Sequence, residues 1–221
     1  MDILELMEQR HSVRQYVNKP IEADKRQMLV TFVEACNQTS GLHFQLVFDE
    51  PECFNSAMAR YGKFEGVRNY IVVAGKKSKD LEQRCGYYGE NLVLKAQELG
   101  LSTCWVAMSY GKKKCVGHLE PGEKRVCVIA LGYGKNQGVA HRSKPMDEVC
   151  RYAGTMPDWF EKGVKAACLA PTAMNQQKFM IDLQDEKAVA YCGSGFYAKL
   201  DFGIVRYSFK AASGHVLKAG R

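Results

Sequence analysis

Gly89-Glu90-Asn91-Leu92-Val93-Leu94-Lys95-Ala96-Gln97-Glu98-Leu99-Gly100-Leu101-Ser102-Thr103-Cys104-Trp105-Val106 is the stretch on which the reading of the fold turns. Up to Leu99 its apolar residues continue a helical spacing that begins near Leu81, and Gly100 suits the left-handed turn that closes a helix. Directly beyond, Thr103 to Ala107 is β-branched, aromatic and apolar, as a strand is. A long helix that stops on a glycine and feeds a strand is a unit of a mixed helix-and-strand fold.

Outward from that unit the same two periodicities alternate. Toward the N-terminus they predict a short helix over 2 to 9 carrying Ile3, Leu4 and Met7, an alternating strand over Val13 to Tyr16, and a helix over about 22 to 37. His43 to Phe48, Tyr70 to Ala74 and Arg125 to Leu131 read as strands. Past Pro145, Thr155-Met156-Pro157-Asp158 offers a capping residue and a proline near the first helical position, opening a helix through Val164, Ala167 and Cys168. Lys178 to Leu183 reads as a strand, and about Leu200 to Ala212 as a final helix ending at Gly214. The expected class is α+β, a sandwich around one mixed or antiparallel sheet flanked by helices.

The later part repeats some of the earlier plan. Sliding the sequence by 132 sets Ala35-Cys36-Asn37-Gln38-Thr39-Ser40-Gly41-Leu42-His43-Phe44-Gln45 beside Ala167-Cys168-Leu169-Ala170-Pro171-Thr172-Ala173-Met174-Asn175-Gln176-Gln177, both at a helix-to-strand junction. The helix containing Gly89 and ending at Gly100 likewise has a counterpart containing Gly203 and ending at Gly214. The preferred reading is partial internal duplication, with a first part over 1–150 and a partial second copy over 151–221.

Composition narrows the functional classes. With 221 residues, 46% of them hydrophobic, the chain can bury a core without disulfide or metal. Nine cysteines, an odd number with no CxxC pair and apolar neighbours, read as reduced thiols in a cytoplasmic protein. Neither a signal peptide nor a membrane span is evident, and His118, His141 and His215 lack metal-ligand spacing. The net charge of +7 raises the question of nucleic acid. The clusters Lys76-Lys77-Ser78-Lys79 and Lys112-Lys113-Lys114 are short and carry no interleaved stacking aromatics, so they read as solvated loops. A modest positive field favours phosphorylated small molecules instead.

Arg10-His11-Ser12-Val13-Arg14 places two guanidinium groups, an imidazole and a hydroxyl within five residues, a donor set suited to phosphate oxygens. Here the sequence resembles the nitroreductase family of FMN enzymes, whose N-terminal phosphate signature is similar to Arg10 to Tyr16. In family order, Gly89 to Val106 resembles the central helix and the strand behind the flavin. Val128-Ile129-Ala130-Leu131-Gly132-Tyr133 resembles the last core strand, Arg142-Ser143-Lys144-Pro145 the late basic segment that returns to the phosphate, and Ala170 to Gln177 the segment bordering the flavin ring and ribityl chain. Two departures stand out. The usual place of the ring-bordering segment holds Thr39-Ser40-Gly41-Leu42-His43, and Ala107-Met108 stands where many members carry Gly-Gly or Glu-Gly.

The resemblance implies a nitroreductase-like fold in a pseudo-dimeric single chain, monomeric or weakly homodimeric, with one FMN site formed in cis. NADH or NADPH is the implied electron donor and a nitroaromatic, quinone or flavin the small acceptor, with hydride passing through flavin N5 in a ping-pong cycle. The implied phosphate ligands are Arg10, His11, Ser12, Arg14, Arg142, Ser143 and Lys144. Trp105, Ala107, Met108, Pro171, Thr172, Ala173, Met174, Asn175 and Gln177 are the implied ring and ribityl neighbours. Asn175 can donate and accept at once, which suits flavin carbonyl and nitrogen edges. No acid–base residue is nominated, since solvent can supply protons. Two alternatives stay open: an FMN-binding sensor without efficient turnover, and a specialised flavin enzyme such as a dehalogenase or flavin-modifying enzyme.

Overall fold

The computed structural model describes residues 2–220 and divides into two compact units that interleave along the chain. Residues 10–81 and 92–140 form one, called here the core unit; residues 2–9, 82–91 and 141–220 form the other, called the tail unit. This division concerns compactness, whereas the boundary at 150 concerns descent, so neither tests the other.

In the core unit, α2 (Ala23–Ser40) closes on Gly41 at φ 64°, and the Asn37 amide then clasps the chain by donating to the Phe44 carbonyl and accepting its N–H, both at 2.8 Å. That clasp delivers β1 (Gln45–Val47) to the sheet edge. After the short α3 (Ala57–Tyr61), capped by the Ser56 hydroxyl, the long strands follow: β2 (Asn69–Lys76), β3 (Ser102–Val106) and β4 (Glu123–Gly132). The sheet order is β1-β2-β4-β3, antiparallel at every pairing. Seven consecutive residues of β2 and seven of β4 are buried, the mark of strands covered on both faces. The long helix α4 (Leu81–Glu98) precedes β3. Gly100 N–H donates to the Gln97 carbonyl and Leu101 N–H to that of Ala96, the paired bonds of a Schellman stop, with Gly100 at φ 75°.

The tail unit holds α1 (Ile3–Gln9), β5 (Cys150–Arg151), α5 (Asp158–Leu169), β6 (Phe179–Gln184), β7 (Lys187–Cys192), α6 (Ala198–Ser213) and β8 (Lys218–Ala219). Its sheet runs β5-β6-β7-β8, parallel at both outer pairings and antiparallel at the centre, so it is mixed. Helices α5 and α6 pack closely because Gly163 lets the Phe209 ring lie where a Cβ would come within 2.5 Å. α6 also crosses the first half of α4 backbone to backbone. A Cβ on Gly86 would meet the Leu200 carbonyl at 2.0 Å, and one on Gly203 would meet that of Gln83 at 2.0 Å. Each glycine also faces the amide nitrogen four positions past that carbonyl, Ile204 and Tyr87 respectively, so the crossing is reciprocal.

Several sequence expectations need correction. Among the described residues there are two four-stranded sheets where one was expected, because strand order is not written in periodicity. Val13 to Tyr16 forms no strand: Ser12, Gln15 and Tyr16 pair singly with Thr103, Glu65 and Gly134, three separate segments that cannot build a ladder. Pro157 is the N-cap of α5, one position earlier than expected, and no side chain caps that helix. The elements α3 and β7 were not foreseen.

Candidate functional site

In the core unit the basic turn at Arg10 to Arg14 is laid against the start of β3. Ser12 bridges Thr103 in parallel, and the Val13 N–H donates to the Thr103 carbonyl at 3.0 Å. The His11 ring donates to the Gln137 carbonyl at 2.9 Å. Arg10 is only 4% exposed, whereas Arg14 is open to solvent. Burial holds the Cys104 thiol above its ordinary range, opposed by the charges of Arg14 and Arg10 and by the Ser12 hydroxyl. Trp105 is half-buried on β3; just past its end Ala107 is half-buried and Met108 exposed.

In the tail unit two segments distant in sequence are sewn together. The Asn175 amide donates to the Arg142 carbonyl at 2.9 Å, and the Gln177 amide donates to the same carbonyl at 3.0 Å and to Asn175 Oδ1 at 3.0 Å. The Lys144 N–H donates to Gln177 Oε1 at 2.9 Å. Ser143 and His141 both donate to the Cys168 carbonyl at the end of α5, at 2.9 and 2.8 Å. Pro171 follows that helix end, and the Thr172 hydroxyl accepts from the Gln177 N–H at 3.1 Å.

Backbone strain marks the same place. Met174, Asn175 and Gln177 lie at φ 53°, 55° and 43°, left-handed values that Asn tolerates but that Met and Gln seldom adopt. Met174 is 96% exposed, and Asn175 and Arg142 are exposed beside it. Gln177, by contrast, is buried and spends its amide on the segment itself.

One residue of this assembly was missed in the sequence. Asp201, buried in the first turn of α6, accepts from the Ala173 N–H on both oxygens at 3.0 Å and from the Gln176 amide at 2.6 Å. Burial raises its pKa to about 6, against the pull of Gln176 and Ala173. An acidic residue near a helix start is an ordinary dipole partner, so sequence held no signal that it anchors a loop 28 residues upstream. A cavity of about 150 Å³ lies elsewhere in the core unit, walled by Tyr16, Asn18, Lys19, Arg68 and Asn69 among others, and contains none of the expected site residues.

Comparison with known proteins gives this geometry a context. Residues 2–213 match the family model described as "Putative TM nitroreductase". Among solved structures, the chain is similar to a putative nitroreductase from Thermotoga maritima at 21% identity and a TM-score of 0.66, covering 96% of this chain and 83% of that one. A putative NADH dehydrogenase/NAD(P)H nitroreductase from Parabacteroides distasonis aligns at 24% identity and a TM-score of 0.54, over 69% of this chain and 98% of its own. A putative nitroreductase from Desulfovibrio desulfuricans in complex with FMN aligns at 21% identity and 0.52, over 66% and 93%. No curated protein sequence matches the chain.

Proposed function

The chain belongs to the nitroreductase family, and from that premise we propose that it binds FMN and uses NADH or NADPH to reduce a small organic acceptor by two electrons. The observation that carries the reading is the joining of Arg142 to Lys144 with Thr172 to Gln177. Resemblance assigns these two segments to one cofactor, and four hydrogen bonds hold them together. The donor set fits such a group. Arg14 and Arg142 are exposed guanidinium groups, Lys144 adds an ammonium, and phosphate takes charge-assisted bonds from all three. Asn175, held left-handed, gives one N–H to the Arg142 carbonyl and one lone pair to Gln177, and keeps a second of each for a ring edge.

Bound FMN supplies the two-electron chemistry. The protein's part is placement. Arg10, Ser12 and Arg14 at one segment, and Arg142, Ser143 and Lys144 at the other, serve the phosphate in this reading, with His11 as a further donor. Pro171, Thr172, Ala173, Met174 and Asn175 border the ring and ribityl chain, Gln177 stiffens them, and Trp105, Ala107 and Met108 shape the acceptor pocket. Donor and acceptor use that pocket in turn, so initial-rate plots should be parallel.

Partial duplication belongs to the same proposal. The order α5–β6–β7–α6–β8 follows α2–β1–β2–α4–β3, and the reciprocal approach of Gly86 and Gly203 is what two copies of one helix would make about a local two-fold axis. The relatives from Parabacteroides and Desulfovibrio align over nearly their whole length yet over about two thirds of this chain, which leaves room for an added third.

The test begins with the purified protein, which should be yellow and release FMN on denaturation. Colourless protein that does not quench FMN fluorescence sinks the proposal. Arg142→Ala, at an exposed position, should weaken FMN binding about ten- to a hundred-fold by removing about 1.5 to 3 kcal/mol of charge-assisted bonding. Bound flavin that neither NADH nor NADPH bleaches under nitrogen would mean binding without turnover. Mixing an Arg14→Ala chain with an Asn175→Ala chain reads whether one chain supplies both segments: restored binding would place them on different chains.

A further inference from the structure

Two cysteines in the core unit are paired thiol to thiol, outside every segment discussed above. Cys53 lies on the turn after Pro51 and Cys115 on the turn after Gly111, and the Cys53 thiol hydrogen-bonds the Cys115 sulfur. The backbones are tied as well. Gly111 N–H donates to the Cys53 carbonyl at 2.6 Å, and Cys115 N–H to the Gly111 carbonyl at 3.1 Å. Lys114 Nζ adds bonds to Glu52 at 2.8 Å and to the Asn55 carbonyl at 3.2 Å. Two loops 62 residues apart are therefore already registered at the point where the sulfurs meet.

The two thiols differ in kind. Cys53 is fully buried in an apolar cluster with Phe54, Phe64 and Tyr70, while Cys115 is half-buried at the edge of that cluster. The bond from Cys53 holds the Cys115 thiol below its ordinary range. The Gly117 backbone N–H and the Arg125 charge act in the same direction, and burial against it. Sharing that bond, together with burial, pushes Cys53 up. The groups facing the pair are Tyr70, whose hydroxyl donates to Glu50 at 2.7 Å and accepts from the Val116 N–H at 3.2 Å, together with Glu50 and Arg125. The arrangement thus offers an accessible sulfur able to lose its proton and a protonated partner in contact with it.

We propose that Cys53 and Cys115 form a peroxide-responsive dithiol that closes to a disulfide. Cys115 thiolate attacks the outer oxygen of a hydroperoxide, breaking the O–O bond. Sulfur is oxidised to sulfenic acid, and the departing alkoxide or hydroxide takes a proton and leaves as alcohol or water. Cys53 sulfur then attacks the sulfenic sulfur. The S–S bond forms, and the hydroxyl leaves as water with the Cys53 proton. In sum two thiols and one hydroperoxide become one disulfide, one alcohol or water, and a second water. Closure would pin the segment that runs from Ala107 to Cys115.

Cys192 provides the internal reference. It is exposed, and burial of its sulfur with the charge of Asp201 holds its thiol above the ordinary range. The experiment exposes the intact protein to stoichiometric hydrogen peroxide, blocks remaining thiols with iodoacetamide, and maps peptides by mass spectrometry. The expected result is a Cys53–Cys115 linked peptide reversed by dithiothreitol, with Cys192 still alkylated. Without peroxide at pH 7, Cys115 should alkylate about tenfold faster than Cys192, thiolate fraction outweighing lower nucleophilicity. In Cys53→Ala the linked peptide should vanish and a dimedone adduct appear on Cys115. Wild-type protein in which Cys115 stays alkylatable while Cys192 oxidises, or in which Cys115 links to another cysteine, overturns the proposal whether or not the variant folds.

Discussion

The two sheets are built from the same sequence of motifs and end differently. In the core unit β4 enters between β2 and β3, giving a four-stranded antiparallel ladder whose central strands are buried along seven consecutive residues. In the tail unit nothing intervenes, so β7 and β8 lie side by side and parallel, and only alternate residues of β7 are buried. The connection between the first two strands differs too, a 21-residue excursion carrying α3 in one and the two-residue turn Asp185-Glu186 in the other. Removing the inserted β4, shortening one loop and adding an edge strand such as β5 converts the first pattern into the second. The helices differ as well, 18 residues in α2 against 12 in α5, and the feature held in common is the glycine approach at the α4–α6 crossing.

The sharpest way to break this comparison is at the crossing. Gly86→Ala and Gly203→Ala each drive a methyl into a backbone carbonyl that cannot rotate aside. Each should cost about 3 kcal/mol or more in urea unfolding, within about 1 kcal/mol of the other. A loss below about 1 kcal/mol at either, or markedly unequal losses, would show that the reciprocity is not energetic.

Asp201 has no equivalent in the core unit. Its folded pKa of about 6 lies above the ordinary carboxylate value, so the folded protein binds the proton more tightly than the unfolded chain does. This contribution to stability is full below about pH 4 and is lost as pH rises through about 6. We expect Asp201→Asn to remove a pH-dependent term on the order of 2 to 3 kcal/mol between pH 4 and 7. At pH 5 the variant should also admit faster amide exchange at Ala173, because its amide presents a donor where the Ala173 N–H needs an acceptor. Parallel stability curves for the two proteins would remove Asp201 from this role.

The smallest contrast lies at the two helix-to-strand junctions. Asn37 clasps the first with two backbone bonds, whereas Thr172 clasps the second with one. Asn37→Ala should cost about 2 kcal/mol and Thr172→Val about 1, read by thermal denaturation. Equal costs would mean that bond count does not distinguish the junctions.

What the sequence disclosed follows from how local each cause is. The helix stop at Gly100 was legible because the Schellman bonds join residues five apart or fewer. The β6–β7 hairpin was not, since Asp185-Glu186 takes φ 46° and 58° without the Asn-Gly that usually announces such a turn. Arg142 to Lys144 and Thr172 to Gln177 were each singled out, but only by resemblance. Their union depends on amides reaching a carbonyl 33 and 35 residues away, which no spacing rule encodes. Cys53 and Cys115 looked like two more buried thiols among nine for the same reason.

Holding Met174, Asn175 and Gln177 left-handed has a consequence for how this chain can change. Met174 and Gln177 each disfavour their present side chain by on the order of 1 kcal/mol, whereas Asn175 tolerates the conformation, so heat is the selection that should drift the outer two sites toward glycine or asparagine. Selection for turnover should resist that drift, because glycine frees the segment as much as it relaxes it. Populations evolved under the two pressures would therefore diverge first at the codons for Met174 and Gln177, and the direction of divergence would report which pressure had acted.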